Sequence, residues 1–195
     1  MTNFKLEVTC VHCLENGKMM LYPIINERDL KVKNSIIKEE LFLYRCPHCG
    51  HYQRVSYECI YYDDKLNYAI ILSHDGDKLL KKSKLEFKNY QIRFVKELKE
   101  LKEKIIIIEN NLDDRIIEIM KHDIRMALVS KATYDLILND KLVFEIVYPN
   151  GEVLKTYPFS KYSYMIEQKK YKNYLGNDYN VDKIFASKLI SKLKV

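Results

Sequence analysis

The sequence predicts an α+β protein: an antiparallel β unit with a short inserted helix, then helices, a three-strand β meander and two C-terminal helices. Three observations predict it. Two Cys-x-x-Cys pairs, Cys10/Cys13 and Cys46/Cys49, each follow a stretch in which apolar and polar residues alternate. From about Tyr90 the apolar spacing becomes helical, and from Tyr134 it returns to two. The 195 residues, 47% hydrophobic and 31% charged with both signs mixed, suit one large or two small globular domains.

The elements follow in order. Phe4, Leu6, Val8 and Cys10 alternate with Lys5, Glu7 and Thr9, so the first cysteine ends a half-buried strand on its apolar side. Met19 to Ile25 reads as a second strand, and Asp29 to Glu39 as a short helix with Asp29 near its start. Phe42, Tyr44 and Cys46 repeat the first pattern. In Cys46-Pro47-His48-Cys49-Gly50, Pro fixes φ and Gly tolerates positive φ after the second thiol, as a tight knuckle requires. Cys10-Val11-His12-Cys13-Leu14 has no Pro, and Gly17 is its only nearby glycine.

Arg54 to Tyr62 and Leu66 to Leu72 read as a hairpin around Asp63-Asp64-Lys65, and His74 to Asp77 as the turn that ends this sheet. A helix is expected from Tyr90 to Ile108, with Lys96/Glu100, Lys99/Glu103 and Glu100/Lys104 on a solvated side. Asn110-Asn111 breaks it. Asp113 caps a further helix whose apolar side is Ile116, Ile117, Met120, Ile124, Ala127 and Leu128, with His122 on the surface. Tyr134 to Leu138, Leu142 to Tyr148 and Val153 to Tyr157 form the meander, turning at 139–141 and 149–151. Helices near Lys161 to Tyr174 and Val181 to Leu193 close the chain. The domains expected are 1–130, with its cysteine-bearing core at about 1–77, and 131–195.

Two matched pairs offer four thiolates, the number a tetrahedral Zn²⁺ takes in a closed structural site, so Cys10, Cys13, Cys46 and Cys49 are the expected metal ligands. The β unit is therefore expected to be zinc-ribbon-like. Iron is the alternative, since thiolate tetrahedra also hold iron. His12, His48 and His51 flank the knuckles and could replace a cysteine. Cys59 shares a strand side with Val55, Tyr57 and Tyr61 and reads as a buried apolar thiol. No apolar h-region opens the chain, and the longest aliphatic runs, Ala69 to Leu72 and Ile105 to Ile108, are too short to span a bilayer. A cytoplasmic protein is expected, where paired thiols stay reduced and bind metal.

The chain also resembles the CpXC family of bacterial and archaeal proteins. The resemblance rests on the first Cys-x-x-Cys, Ile25-Asn26 before the short helix, the Leu41-Phe42 strand and Cys46-Pro47-His48-Cys49-Gly50. It continues through Tyr61-Tyr62-Asp63, the apolar strand after it, and Leu112-Asp113-Asp114-Arg115 with Glu118 and Lys121. It covers about the first 125 residues. The first knuckle departs from the family's Cys-Pro-x-Cys-Gly form. The resemblance implies the metal site and the fold grouping, and no activity.

Charge narrows the functional classes. Residues 1–77 carry nine Lys and Arg against eleven Asp and Glu, a net −2, and Zn²⁺ with four thiolates adds a further −2. Residues 78–104 are +6 (ten against four), 105–152 are −4 (five against nine) and 153–195 are +6 (nine against three). An acidic ribbon is a poor phosphate reader, so nucleic acid would have to meet the Lys-rich segments 78–104 and 169–172, where tyrosines could stack on bases. No Gly-rich phosphate loop, nucleophile elbow or His-Glu metalloprotease helix is present, and the acids Asp113, Asp114 and Glu118 suit a helix start. The reading is a non-catalytic protein-interaction module with a structural metal, with RNA or DNA binding as the alternative.

Overall fold

The computed structural model describes residues 3–128, 131–138, 141–148, 151–173 and 175–193. It is α+β, as expected, and divides into two compact units, Met1–Lys102 and Glu103–Val195.

In the first unit, β1 (Phe4–Thr9) and β2 (Asn16–Leu21) form an antiparallel ribbon that pairs Leu6 with Met19 and Thr9 with Asn16. Only the end of β1 is covered: Val8 and Cys10 are buried, whereas Phe4 and Leu6 are exposed. The single strand expected from Met19 to Ile25 is two. Pro23 has no N–H to continue a ladder, and the chain leaves the ribbon there. It resumes as β3 (Ile24–Asn26), parallel to β6 (Cys59–Asp63). Helix α1 (Leu30–Ile37) begins where Asp29 accepts the Val32 N–H at 3.2 Å. A second ribbon, β4 (Leu43–Arg45) and β5 (Tyr52–Arg54), follows.

The third sheet has the order β3-β6-β7-β8, with β7 at Tyr68–Leu72 and β8 at Gln91–Val95. The β6–β7 hairpin is antiparallel, shorter than the sequence suggested because Arg54 belongs to β5. His74 to Asp77 does not end the sheet: Asp75 caps α2 (Gly76–Ser83), a crossover that returns the chain to the sheet. Gln91–Val95 is then a strand parallel to β7, not the first turns of a helix. Its side chains alternate, Arg93 and Val95 pointing into the protein, and Arg93 lies 5.7 Å over the Tyr68 ring. Gly76 is required for this packing, since a Cβ there would stand 2.6 Å from the Phe94 ring.

Helix α3 (Leu98–Glu109) begins in the first unit. Glu100 bends back to accept the N–H groups of Lys96 and Glu97 at 2.8 and 3.2 Å, so it caps the helix instead of joining a solvated ladder.

The second unit contains α4 (Asp114–Leu128), β9 (Lys131–Leu138), β10 (Lys141–Tyr148), β11 (Gly151–Pro158), α5 (Phe159–Glu167), α6 (Lys169–Lys172) and α7 (Lys183–Leu193). The meander is antiparallel in the order β11-β10-β9. The expected turn residues 139–140 and 149–150 lie outside the described residues. The core joins Ile116, Ile117, Met120 and Ile124 of α4 to Leu142, Phe144 and Ile146 of β10 and to Met165, Phe185 and Leu189. That packing groups α4 with the meander, so the division falls at Lys102/Glu103 and not near 130. Ala127, expected on the apolar side of α4, is exposed.

Charges expected on the surface are buried here. Lys104 donates to Asp114 and to the Val181 carbonyl, each at 2.8 Å, and Lys121 donates to Glu103 at 2.8 Å and to Glu118 at 2.5 Å. Burial pushes the Glu103 carboxyl up, against the pull of Lys121. Burial also opposes the Lys121 charge, but Glu103 and Glu118 outweigh it and hold the ammonium above its usual range. Arg115 binds Asp113 through two nitrogens, at 2.9 and 2.6 Å. The helix dipole alone does not account for these acids, because each has a cationic partner. His122 is half-buried with an enclosed Nδ1, not a surface residue.

Candidate metal centre

Each knuckle is set by its ribbon. β1 delivers Cys10 to the buried side and β4 delivers Cys46 to the same small cluster, with Val8, Met19, Leu21 and Tyr44. From there the two loops follow one pattern. Cys10 N–H donates to the Glu15 carbonyl at 3.0 Å, and Leu14 N–H donates to the Cys10 carbonyl at 2.9 Å. The second loop repeats this: Cys46 N–H to the His51 carbonyl at 2.9 Å, and Gly50 N–H to the Cys46 carbonyl at 3.0 Å. Gly50 has φ +74°, the left-handed conformation glycine adopts at no steric cost. Leu14 holds the equivalent place with φ +63°, so the irregular first sequence builds the same loop under strain.

That strain is measurable. Leu14 is 75% exposed and has little packing to lose. A left-handed L-residue costs about 1–2 kcal/mol, of which glycine's larger unfolded-state entropy takes back about 0.5–1. Leu14→Gly is therefore expected to stabilise the first unit by about 0.5–1 kcal/mol in a denaturant melt, and Gly50→Leu to destabilise it by about 1–2 kcal/mol.

The four sulfurs of Cys10, Cys13, Cys46 and Cys49 lie within 4.8 Å of one another. The Sγ atoms of Cys10 and Cys49 are 3.7 Å apart, and those of Cys13 and Cys46 are 3.6 Å apart. A disulfide needs about 2.05 Å, so these sulfurs are separate. A tetrahedral metal with about 2.3 Å bonds to sulfur sets neighbouring sulfurs about 3.8 Å apart. The donor set fits a metal ion.

Backbone N–H groups face the sulfurs. The His12 N–H is 3.4 Å from Cys10 Sγ. Those of Glu15, His48 and His51 serve Cys13, Cys46 and Cys49, so every thiol has the N–H two residues ahead of it. The Cys46 thiol is lowered to about 6, first by the Cys49 N–H and then by the His48 N–H and the thiols of Cys13 and Cys10, against burial. The Glu15 N–H favours the Cys13 thiolate, but burial and the other thiols push Cys13 up to about 12. Cys49 is also raised, burial and the Cys10 and Cys46 thiols outweighing its His51 N–H. A divalent cation bound here would let all four be thiolates at once.

Tyr44 and Gly17 enclose the site. Burial, then the thiols of Cys46, Cys10 and Cys13, keep the Tyr44 hydroxyl protonated. A Cβ on Gly17 would collide with that hydroxyl and stand 3.0 Å from Pro47. Gln53 ties the ribbons together, accepting the Val11 N–H at 2.9 Å and donating to the Thr9 carbonyl at 3.1 Å. Neither Tyr44 nor Gln53 has a sequence signal beyond its strand.

No histidine joins the four sulfurs among the described residues. The His12 and His51 rings stack on each other at 5.3 Å, and His48 Nε2 donates to the Asn16 carbonyl at 3.2 Å. Cys59 is fully buried outside the cluster, its thiol pushed up to about 12 by burial, as an apolar core thiol should be. The Lys-rich segments are depleted by folding. Arg93 and Lys104 are buried, Lys102 pairs with Glu39, and Tyr171 packs against the core of the second unit.

The family model described as CpXC protein matches residues 8–121, more than half of the chain. The chain belongs to the CpXC family. The match contains all four clustered cysteines and agrees with the resemblance carried by the second knuckle and by Leu112 to Lys121. It also takes in Glu103, Lys104, Asp114, Glu118 and Lys121, the buried ion pairs. No curated protein and no solved structure matches the chain. Among the described residues, no helix is long and apolar enough to cross a membrane.

Proposed function

We propose that this CpXC protein is a non-catalytic protein-interaction module whose two ribbons are joined by one structural Zn²⁺ on Cys10, Cys13, Cys46 and Cys49, in a zinc-ribbon-like arrangement. The observation that carries the reading is the convergence of four sulfurs, and among the described residues only sulfurs, within 4.8 Å. Four thiolates complete a tetrahedron and leave no position for a substrate or an activated water. The metal then serves architecture, and the remaining surface serves contact. The ribbons and knuckles present Val11, Leu14, Leu43 and Tyr52 to solvent, an apolar complement that suits a protein partner better than a phosphate backbone.

Two measurements test this. Elemental analysis of the purified protein should give one zinc per chain; iron would overturn the zinc assignment. The zinc-loaded protein should retain protein partners from native lysate, and Val11→Asp with Leu14→Asp should reduce that retention. Steep salt-dependent binding to heparin and single-stranded RNA, unaffected by those substitutions, would replace the reading with nucleic-acid binding through the exposed lysines of α2.

A further inference from the structure

A second feature of the first unit lies off the end of its mixed sheet. The ladders set Cys59, Leu72 and Val95 side by side, at the start of β6 and at the C-terminal ends of the parallel strands β7 and β8. Glu58, Ser73 and Lys96 are therefore the first residues beyond that edge, and together they border a cleft of about 400 Å³. Open sheets with parallel strands bind ligands in this position, outside the carboxyl ends of the strands.

The cleft has an apolar base and a charged rim. Phe42, Tyr57, Leu72 and Leu98 form the base, with the Phe42 and Tyr57 rings edge-to-face at 4.8 Å. Arg54, Lys96 and Lys99 stand on the rim, and none of the three makes an ion pair among the described residues. Two carboxylates also border the cleft. Glu58 is engaged by the Ser73 hydroxyl, which donates to it, while Glu97 has no such partner. Among the lining side chains, three fixed cations against two carboxylates leave one positive charge over an aromatic base, and Glu100, outside the lining, is engaged by the Lys96 and Glu97 N–H groups.

We propose that this cleft binds a small organic monoanion: a carboxylate on an aromatic or aliphatic body, the body on Phe42 and Tyr57 and the carboxylate among Arg54, Lys96 and Lys99. The volume is at the small end of the range for ligand pockets, which excludes large polyanions. The single excess charge favours a monoanion over a phosphate dianion. The site is independent of the thiol cluster and of the partner-binding role proposed above.

The test is an NMR amide titration of the zinc-loaded full chain with 2-naphthoate, its neutral amide 2-naphthamide and the cation 2-naphthylmethylammonium. Expected are saturable shifts at the Ser73, His74 and Leu98 amides, with naphthoate binding about tenfold tighter than the amide, the preference that about 1.4 kcal/mol of charge recognition confers. Lys96→Gln with Lys99→Gln should remove most of that preference and leave naphthamide binding unchanged. Equal affinity for acid and amide, tighter binding of the cation, or no saturable shift at these amides by about 10 mM probe would overturn the proposal.

Discussion

A zinc chelator is expected to unfold the two ribbons, β1–β2 and β4–β5, while the second unit keeps its structure. The cluster beneath the knuckles has six buried residues, two of them cysteines. Isolated two-stranded hairpins are marginal in water, and so small a cluster does not change that. A structural zinc contributes on the order of 10 kcal/mol, comparable to the whole stability of a typical domain. Hydrogen exchange on the chelated protein should therefore show protection lost across Phe4–Thr9, Asn16–Leu21 and Tyr52–Arg54. Cys46→Ser should reproduce it, and Cys59→Ala should leave zinc content unchanged because Cys59 lies outside the cluster. Ribbon protection that survives a chelator would refute a structural role for the metal.

The second large effect belongs to Lys121. Its ammonium, 8% exposed, is held between Glu103 and Glu118, each 4% exposed. Lys121→Met takes the central cation from two carboxylates in a dry environment, leaving Arg125 at 3.8 Å from Glu118 and Lys104 near Glu103. Breaking a buried pair from one side costs about 3–5 kcal/mol, which lowers the melting midpoint by on the order of 10 °C. Replacing all three residues by apolar ones of similar volume should recover most of that loss. The pH dependence has a definite sign. Because the folded Lys121 is raised above its ordinary 10.5, its contribution is complete below that value and is lost as pH rises through the higher folded value. A Lys121→Met variant as stable as the parent would show that the carboxylates find other cations.

The knuckles were legible in the sequence because two independent signals agree there: strand alternation ending on Cys10 and Cys46, and thiols three apart. The same consistency exposed α1, the meander and the capping role of Asp29. Where signals competed, the reading failed. Gln91–Val95 adjoins a run of Lys and Glu spaced four apart, and the helical period of that run extends backwards over a five-residue strand. Arg93 deepens the confusion, since a buried arginine stacked on a tyrosine ring has the letter of a surface residue. Glu103 and Lys104 failed for the same reason: periodicity assigns a charge to solvent, and only the partner's position moves it inside. Leu14 gave no sign of its conformation because residue type normally announces positive φ through Gly or Asn.

The sulfur pair of Cys13 and Cys46 joins positions 33 residues apart in the chain. In polymer terms an ion bound there would be a cross-link that closes a long loop. Closing it costs about 3 kcal/mol of chain entropy by the logarithmic law, well below what a tetrathiolate site returns. Neither hairpin can complete the coordination shell by itself, so neither can hold the full site before that loop has closed. A metal held by the four thiolates would thus be a staple that performs a disulfide's topological task and is undone by chelation instead of reduction.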